Sequence, residues 1–317
     1  MTRVDLITGF LGSGKTTFIH RYLHHLNEKN QKIRIIENEF GSVSIDTKLL
    51  SEEDVYIDDL AGVCMCCTGR DKFIQMLINA ANAGCDRVLV EPSGIYDVDE
   101  FFSVMNEQRV KERCEVGSVL TIVDARFEDD LSGEARYLMF AQLLAAGKVI
   151  LSKSQFCSDA EIRETIGKLN ELIASFRGGR VLAEEVCARS WDTLTEEDYA
   201  EFQNCGHSYY DHKRQYMDHR EVFSSFMTAD YCENEEDLYR RIHNLLQNED
   251  YGQVIRVKGY IRDLLKNWYE INCTRQDISI RPVPNITRGL LVVIGQNLNE
   301  TELKKAFLPR PAKSSLT

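Results

Sequence analysis

The sequence predicts an α/β fold, a mostly parallel β-sheet with helices on both faces, followed by a small α+β domain. Strand-length apolar runs alternate with helical periodicity over residues 1–185, and polar motifs follow the strand ends, where parallel sheets bind ligands. Beyond residue 220, runs of strands have helices at either end. We therefore predict a ligand-binding α/β domain at 1–185, a linker at 186–219, an α+β domain at 220–309 and a tail at 310–317.

Composition narrows the classes of partner. The chain has 317 residues, 43% of them hydrophobic and 28% charged, which is enough to bury a large core. Its net charge of −12, without a lysine or arginine run, argues against binding to nucleic acid or to an anionic membrane. No apolar run reaches transmembrane length and no signal-peptide core is visible, so we expect a cytoplasmic protein whose ten cysteines are mostly reduced thiols.

The first predicted strand, residues 4–8, runs into a helix at 17–26 through the stretch G-F-L-G-S-G-K-T-T. This stretch matches the phosphate-binding pattern G-x-x-x-x-G-K-[ST]. The pattern predicts that its backbone N–H groups converge on anionic oxygens at a helix N-terminus. It also predicts that Lys15 reaches the β and γ phosphates and that the Thr16 hydroxyl ligates Mg²⁺. The predicted nucleotide contacts here are Gly9, Gly12, Ser13, Gly14, Lys15, Thr16 and Thr17.

The next strands end in polar loops. A strand at 32–36 leads into E-N-E-F-G, which begins at Glu37, and Asp46 follows. A strand at 54–57 precedes C-M-C-C, which ends at Cys67, and a helix is predicted at 72–83. The strand at 87–91 closes with Glu91 and runs into P-S-G, so that it resembles a Walker B strand with a glycine switch.

The remaining elements follow in order. Strands are predicted at 118–123, 148–151, 221–227, 253–260, 268–272 and 290–294, and helices at 131–146, 235–246 and 300–307. Asp124 is interpreted as a helix-leading acid. His207, His212 and His219 lie in the predicted linker, where their spacing matches neither a zinc finger nor a dense histidine tract, so a solvated linker is favoured over a metal loop.

Three thiols form the second chemical motif. Cys64, Cys66 and Cys67 are soft ligands suited to Zn²⁺ or a related transition metal, but three ligands leave a tetrahedral ion one ligand short. Water, Glu37 or a thiol from a second copy could complete the shell, and the last case would give a metal-linked homodimer. An incomplete shell suits metal transfer, while inert structural zinc and a redox thiol switch remain alternatives.

Together these motifs resemble the CobW/HypB/UreG group of P-loop metallochaperone GTPases, most closely its CobW-like branch. The resemblance rests on the phosphate-binding stretch, E-N-E-F-G with Asp46, C-M-C-C, E-P-S-G ending at Gly94, and V-I-R-V-K-G-Y with L-L-V-V-I-G near the C-terminus. It implies GTP binding and slow hydrolysis, coupled to handling of zinc, cobalt or a related metal for a client metalloprotein. It also implies that Glu91 and Thr16 hold Mg²⁺, that Asp46 is a switch residue near the attacking water, and that the Gly94 amide senses the γ-phosphate.

The motif that reads the base departs from the family pattern. Ser152-Lys153-Ser154-Gln155 stands where GTPases have Asn-Lys-x-Asp. A glutamine carbonyl accepts more weakly from guanine than a carboxylate does, so reduced guanine selectivity is expected and ATP remains an alternative to GTP. Ser152 and Lys153 are the predicted base-side contacts. Two other functions stay open: an ATP-using kinase or ATPase with a structural zinc loop, and a nucleotide-binding metal or redox sensor without turnover.

Overall fold

A computed structural model of the chain describes residues 1–29, 31–38, 56–60, 69–129, 131–208, 222–284, 286 and 288–308. The chain divides into two compact units, Met1–Tyr216 and Met217–Thr317. In the described part of the chain, no helix is both long and apolar enough to cross a bilayer.

The first unit is built on a seven-stranded sheet whose strand pairs all run parallel. Its strands are β1 (Thr2–Thr8), β2 (Ile33–Glu37), β3 (Tyr56–Asp59), β4 (Arg87–Glu91), β5 (Cys114–Asp124), β6 (Lys148–Ser152) and β7 (Val186–Cys187). They are arranged in the order β3-β2-β4-β1-β5-β6-β7. Since β1 is central, the loop that follows it lies in the middle of the carboxyl edge. The predicted fold class is confirmed.

Helices cover both faces of this sheet, as predicted. They are α1 (Lys15–Glu28), α2 (Arg70–Asn82), α3 (Val98–Met105), α4 (Gln108–Lys111), α5 (Gly133–Ala145), α6 (Asp159–Ser175) and α7 (Glu196–Asn204). On one face, α2, α3 and α5 contribute to a core around Phe73 and Phe101. On the other face, α1 and α7 contribute to a core around Phe18, Tyr22 and Phe202.

Much of the predicted linker, residues 186–219, belongs to the first unit. Strand β7 extends the sheet by pairing with β6, and α7 begins with a reciprocal capping box between Thr195 and Asp198. Phe202 of α7 is fully buried against α1. This helix buries few residues and carries three acids in its first turn, so its polar composition resembles that of a linker. Strand β7 and helix α7 therefore pack as part of the first unit, and the predicted boundary at residue 185 stays a prediction.

An ion pair lies inside the first unit. Asp5 of β1 and Arg87 of β4 are 0% and 2% exposed, and the guanidinium donates to both carboxylate oxygens. Asp5 also accepts from the backbone N–H of Ser118 at 2.8 Å and from the Tyr22 hydroxyl at 3.2 Å. Arg87 in turn donates to the carbonyl of Gln203 in α7, at 3.3 Å. The pair thus joins β1, β4, β5, α1 and α7.

The second unit is an antiparallel sheet with two helices. Its strands are β8 (Ser224–Ala229), β9 (Gln253–Arg262), β10 (Trp268–Thr274), β11 (Ile278–Val283) and β12 (Leu290–Gln296), arranged β11-β10-β9-β12-β8. Helices α8 (Glu235–Gln247) and α9 (Glu300–Ala306) pack on one core with β9 and β12. Asn299 caps α9 by accepting from the Glu302 N–H. Strand β11 was absent from the sequence prediction, because it is half-buried at most and contains a proline.

Candidate functional site

The phosphate-binding stretch lies between the end of β1 and the start of α1. Gly9 has a φ of +143°, and a β-carbon placed there would lie 2.2 Å from the Ile122 carbonyl oxygen of β5. No side chain fits in that space, so only glycine lets the loop turn this closely over the sheet. The amides at the start of α1 are consequently presented at the carboxyl edge, where a helix N-terminus favours anions.

Lys15 and Ser13 are both buried in this loop. The Lys15 ammonium donates to the carbonyls of Gly9 and Phe10, at 2.9 and 3.3 Å. Lys15 is 7% exposed, and these two backbone carbonyls hold its ammonium group against the loop. The buried Ser13 hydroxyl has no hydrogen-bond partner among the described residues. A cation and an unsatisfied hydroxyl in one glycine turn suit an anionic oxygen-rich ligand.

Two oxygen-bearing side chains meet beside the loop, and a third residue of this kind lies on the neighbouring strand. The Thr16 hydroxyl donates to Glu91 Oε1 at 2.9 Å, and Glu91 ends β4 in register with Glu37 at the end of β2. Octahedral Mg²⁺ with ligands at about 2.0–2.1 Å places neighbouring ligand oxygens about 2.9 Å apart. The Thr16 and Glu91 oxygens therefore fit two adjacent Mg²⁺ ligands. Register places Glu37 on the strand next to Glu91, and this second acidic residue is buried, at 7% exposure.

Gly94 lies directly against the phosphate-binding loop. A β-carbon at this position would be 2.5 Å from the Leu11 nitrogen and 2.8 Å from the Phe10 carbonyl carbon. At Gly94, the loop after β4 therefore approaches the phosphate-binding loop closely through backbone atoms. The buried Gln142 amide of α5 faces the carbonyls of Gly94 and Tyr96.

The predicted base-side residues lie at the carboxyl end of β6, with Ser152 as its last residue and Lys153 directly after it. Ser152 is buried, and Lys153 has a left-handed backbone with a φ of 58°. The Lys153 ammonium pairs with the Asp124 carboxylate at 2.8 Å. Burial alone would raise the pKa of Asp124, but hydrogen bonds from Arg126 and Lys153 stabilise the carboxylate and hold its pKa below the ordinary value. Asp124 thus anchors Lys153 rather than leading a helix, and Gln155 is exposed.

Sequence reasoning missed Trp191, which lies in the segment after β7. Its ring lies 3.3 Å from a β-carbon placed on Gly14, and its indole N–H donates to the Leu151 carbonyl at 3.0 Å. It also packs edge-on against Phe18, with ring centroids 5.6 Å apart. The side chain therefore connects the phosphate-binding loop, α1 and β6. The short strand before it was the available signal, but two residues are too few to be recognised by periodicity.

Several predicted site residues lie outside the described residues: Asp46, Cys64, Cys66, Cys67, His212 and His219. His207 is described, and it packs against Phe102 with ring centroids 5.3 Å apart, while burial lowers its pKa. Within the described ranges, one group of side chains has metal-ligand spacing, namely His25, Glu28 and Glu196. In that group His25 Nδ1 already pairs with the Glu196 carboxylate at 3.1 Å.

Two family assignments together cover most of the chain. Residues 3–179 match the CobW/HypB/UreG nucleotide-binding domain, and residues 223–309 match the cobalamin synthesis protein cobW C-terminal domain. The phosphate-binding loop, Glu91, Gly94 and Lys153 all fall within the first match.

Curated relatives match about half of the chain. The zinc chaperone YeiR of Escherichia coli (strain K12) is 34% identical over 155 residues, which is 49% of this chain and 47% of YeiR. The zinc chaperone YjiA of the same strain is 32% identical over 179 residues, which is 53% of this chain and 54% of YjiA. The chain thus spans about half the length of these relatives.

Solved structures include the Zn(II)-bound YjiA GTPase from E. coli, with 21% identity, coverage of 96% of this chain and 98% of that chain, and a TM-score of 0.40. The hydrogenase maturation factor HypB from Archaeoglobus fulgidus has 14% identity, coverage of 63% and 88%, and a TM-score of 0.41. More than half of the sequence, including the whole phosphate-binding loop, matches one nucleotide-binding domain, and the chain therefore belongs to the CobW/HypB/UreG family.

Proposed function

We propose that this chain is a GTPase that couples nucleotide binding and slow hydrolysis to the binding and delivery of a transition metal to a client metalloprotein. The observation that carries the proposal is the register of Glu37 with Glu91. It puts a carboxylate from the predicted transition-metal site next to the carboxylate predicted for Mg²⁺. A change at the γ-phosphate can then reach the metal ligands across a single pair of neighbouring strands.

At the nucleotide, the chain's residues supply positioning and charge. The amides of the phosphate-binding loop and the Lys15 ammonium neutralise the phosphate oxygens, and Thr16 with Glu91 would hold Mg²⁺. Bound Mg²⁺ supplies the positive charge that phosphoryl transfer requires. Gly94 lies close enough to the loop for its amide to report on the γ-phosphate. Asp46 remains the proposed switch acid, although it lies outside the described residues.

The proposed transition-metal ligands are Cys64, Cys66 and Cys67, with Glu37 as the fourth. Strand β3 ends at Asp59 beside Glu37, and the Leu60 N–H donates to the Glu37 carbonyl at 3.0 Å. Cys64 follows Leu60 by four residues, a span of at most about 14 Å for an extended chain. Zn²⁺ accepts such a mixed set of thiolates and one carboxylate. The names of YeiR and YjiA as zinc chaperones support zinc, and cobalt is the proposed alternative.

The test is a zinc titration of the full chain with a non-hydrolysable GTP analogue and without nucleotide. We expect zinc affinity to differ between the two states, and by linkage zinc must change the affinity for the analogue by the same factor. The Cys66→Ser and Cys67→Ser double variant should lose the effect. Cys232→Ser is the matched control, since Cys232 is an exposed thiol of the second unit. Equal zinc affinity in both nucleotide states would remove the coupling.

Base selectivity is a separate question. We infer that GTP is preferred over ATP by less than in GTPases with an aspartate at position 155, because Gln155 offers only a neutral acceptor. The test compares the affinities for GTP and ATP in wild type and in Gln155→Asp. We expect the substitution to increase the ratio in favour of GTP. If ATP binds as tightly as GTP in the wild type, the chain is not GTP-specific, and assays for transfer of phosphate to an acceptor would then distinguish a kinase.

A further inference from the structure

The feature of interest is a fully buried amide on helix α5. Gln142 is 0% exposed and is a polar residue between Ala141 and Leu143, which are apolar core residues of the same helix. A buried carboxamide is costly unless it is hydrogen-bonded, so its contacts indicate why it is there. Its Nε2 faces the carbonyls of Gly94 and Tyr96, at 3.5 and 3.4 Å.

Only one orientation of this amide suits its surroundings. Both neighbouring backbone groups are acceptors, so the NH₂ group must face them and the oxygen must point away. That oxygen, Oε1, has no hydrogen-bond partner among the described residues. The two donor distances are long for N–H···O bonds. The Gln142 amide therefore makes weak hydrogen bonds to the loop, and its oxygen lies nearby as an acceptor without a donor among the described residues.

The loop that Gln142 contacts is a tight turn. The Tyr96 N–H donates to the Ser93 carbonyl at 3.0 Å. Because the Ser93–Gly94 peptide is trans, the Gly94 N–H points opposite to that carbonyl and away from Tyr96. The turn thus fixes the direction of the Gly94 N–H, and Gln142 holds the next carbonyls along the chain.

Gly94 consequently has two close neighbours. The backbone of Phe10 and Leu11 is close enough to exclude a β-carbon, and the Gln142 amide contacts the Gly94 carbonyl. A shift of Gly94 away from the phosphate-binding loop must displace its carbonyl relative to Gln142. A shift that rotates the neighbouring peptides could also satisfy Oε1. Both the shift of Gly94 and the rotation of its neighbouring peptides would therefore change the contacts of Gln142.

We propose that Gln142 is a positioning residue that holds the turn at Ser93–Tyr96 so that the Gly94 amide can discriminate a nucleoside triphosphate from a diphosphate. This inference rests on the proposed function, in which Gly94 senses the γ-phosphate. Gln142 acts on the nucleotide only through the turn. It therefore sets the preference between the two nucleotides more than the affinity shared by both.

The experiment compares Gln142→Met with wild type in the full chain, titrating a non-hydrolysable GTP analogue and GDP, each with Mg²⁺, by calorimetry. Methionine keeps the length of the side chain but has no N–H donor. Loss of two weak hydrogen bonds should reduce the preference for the analogue about five- to tenfold, mainly by weakening analogue binding. Leu138→Met is the matched control, since Leu138 is a fully buried residue of the same helix, and it should keep the wild-type preference.

A folded Gln142→Met variant that keeps the wild-type preference overturns the inference. If that variant does not fold, Gln142→Glu provides the test, because a neutral carboxyl can donate one hydrogen bond whereas the carboxylate repels both carbonyls. Its preference for the analogue should fall more steeply with rising pH than that of wild type, and a profile parallel to wild type would also overturn the inference. Failure of the wild type to bind nucleotide, or to prefer the analogue, would instead contradict the proposed function.

Discussion

Replacing Glu91 by glutamine separates the Mg²⁺ contribution to nucleotide binding from all the others. The Glu91 oxygen lies 2.9 Å from the Thr16 hydroxyl, and a glutamine oxygen can accept the same hydrogen bond, so the local structure should persist. What disappears is the negative charge on a proposed Mg²⁺ ligand. Changes to groups around a metal typically cost about 10- to 100-fold in metal affinity, which corresponds to about 1.4–2.7 kcal/mol.

The sign of the effect should depend on Mg²⁺. With Mg²⁺ present, we expect Glu91→Gln to bind the GTP analogue about 10- to 100-fold more weakly than wild type. With EDTA, removal of a negative charge beside the polyphosphate should leave binding unchanged or strengthen it. Calorimetric titrations in both buffers measure the two affinities. Glu115→Gln, an exposed carboxylate paired with Arg3, is the control. An equal loss of affinity in both buffers would refute a Mg²⁺ role for Glu91.

Three further predictions concern stability and spectroscopy. Arg87→Leu should lower the free energy of unfolding, measured in urea, by about 3–5 kcal/mol, because Asp5 is left as an uncompensated buried charge. Adding Asp5→Leu should recover most of this loss, and a loss below about 1 kcal/mol in Arg87→Leu alone would contradict the prediction. The pKa of Asp124 is lowered in the folded state, so its carboxylate stabilises the chain above its ordinary pKa, and this contribution is lost as pH falls through the folded-state pKa. The difference in unfolding free energy between wild type and Asp124→Asn should therefore shrink towards acidic pH, and a difference that stays constant with pH would contradict this prediction. Trp191 lies against the phosphate-binding loop, so nucleotide binding should change the tryptophan fluorescence of wild type and of Trp268→Phe but not that of Trp191→Phe. A fluorescence change that persists in Trp191→Phe would show that Trp191 does not report on nucleotide.

The parts of the site that sequence predicts are those with a fixed local pattern. Gly9 and Lys15 belong to a motif whose spacing is set by the size of a phosphate group, and Glu91 ends a strand whose apolar run is unmistakable. Gln142 and Asp124 belong to no such pattern. Gln142 is a buried glutamine inside an apolar helix, and it contacts a carbonyl 48 residues away in the chain. Asp124 is the last residue of a strand and pairs with a lysine 29 residues away, so only the folded structure brings these segments together.

The same limit explains why helix α7 was not recognised within the predicted linker. Helix α7 has only Phe202 and Gln203 buried, and its first turn is acidic, so nothing in its periodicity distinguishes it from a solvated linker. Its packing depends on a matching apolar face of α1, about 170 residues earlier. The order of the sheet was likewise not predictable beyond its parallel character, because register between distant strands is set by side-chain packing across the sheet.

The central position of β1 has a consequence for synthesis of the protein. Its partners in the sheet are β4 and β5, which begin at Arg87 and Cys114, so β1 has no neighbour in the sheet until much more of the chain has emerged from the ribosome. At about 5–20 residues per second, that wait lasts several seconds. The glycine loop packs closely against the Ile122 carbonyl of β5, and this contact cannot form before then. A ribosome-bound nascent chain should therefore be unable to retain nucleotide until β5 has been released, although the phosphate-binding stretch is translated well before β5.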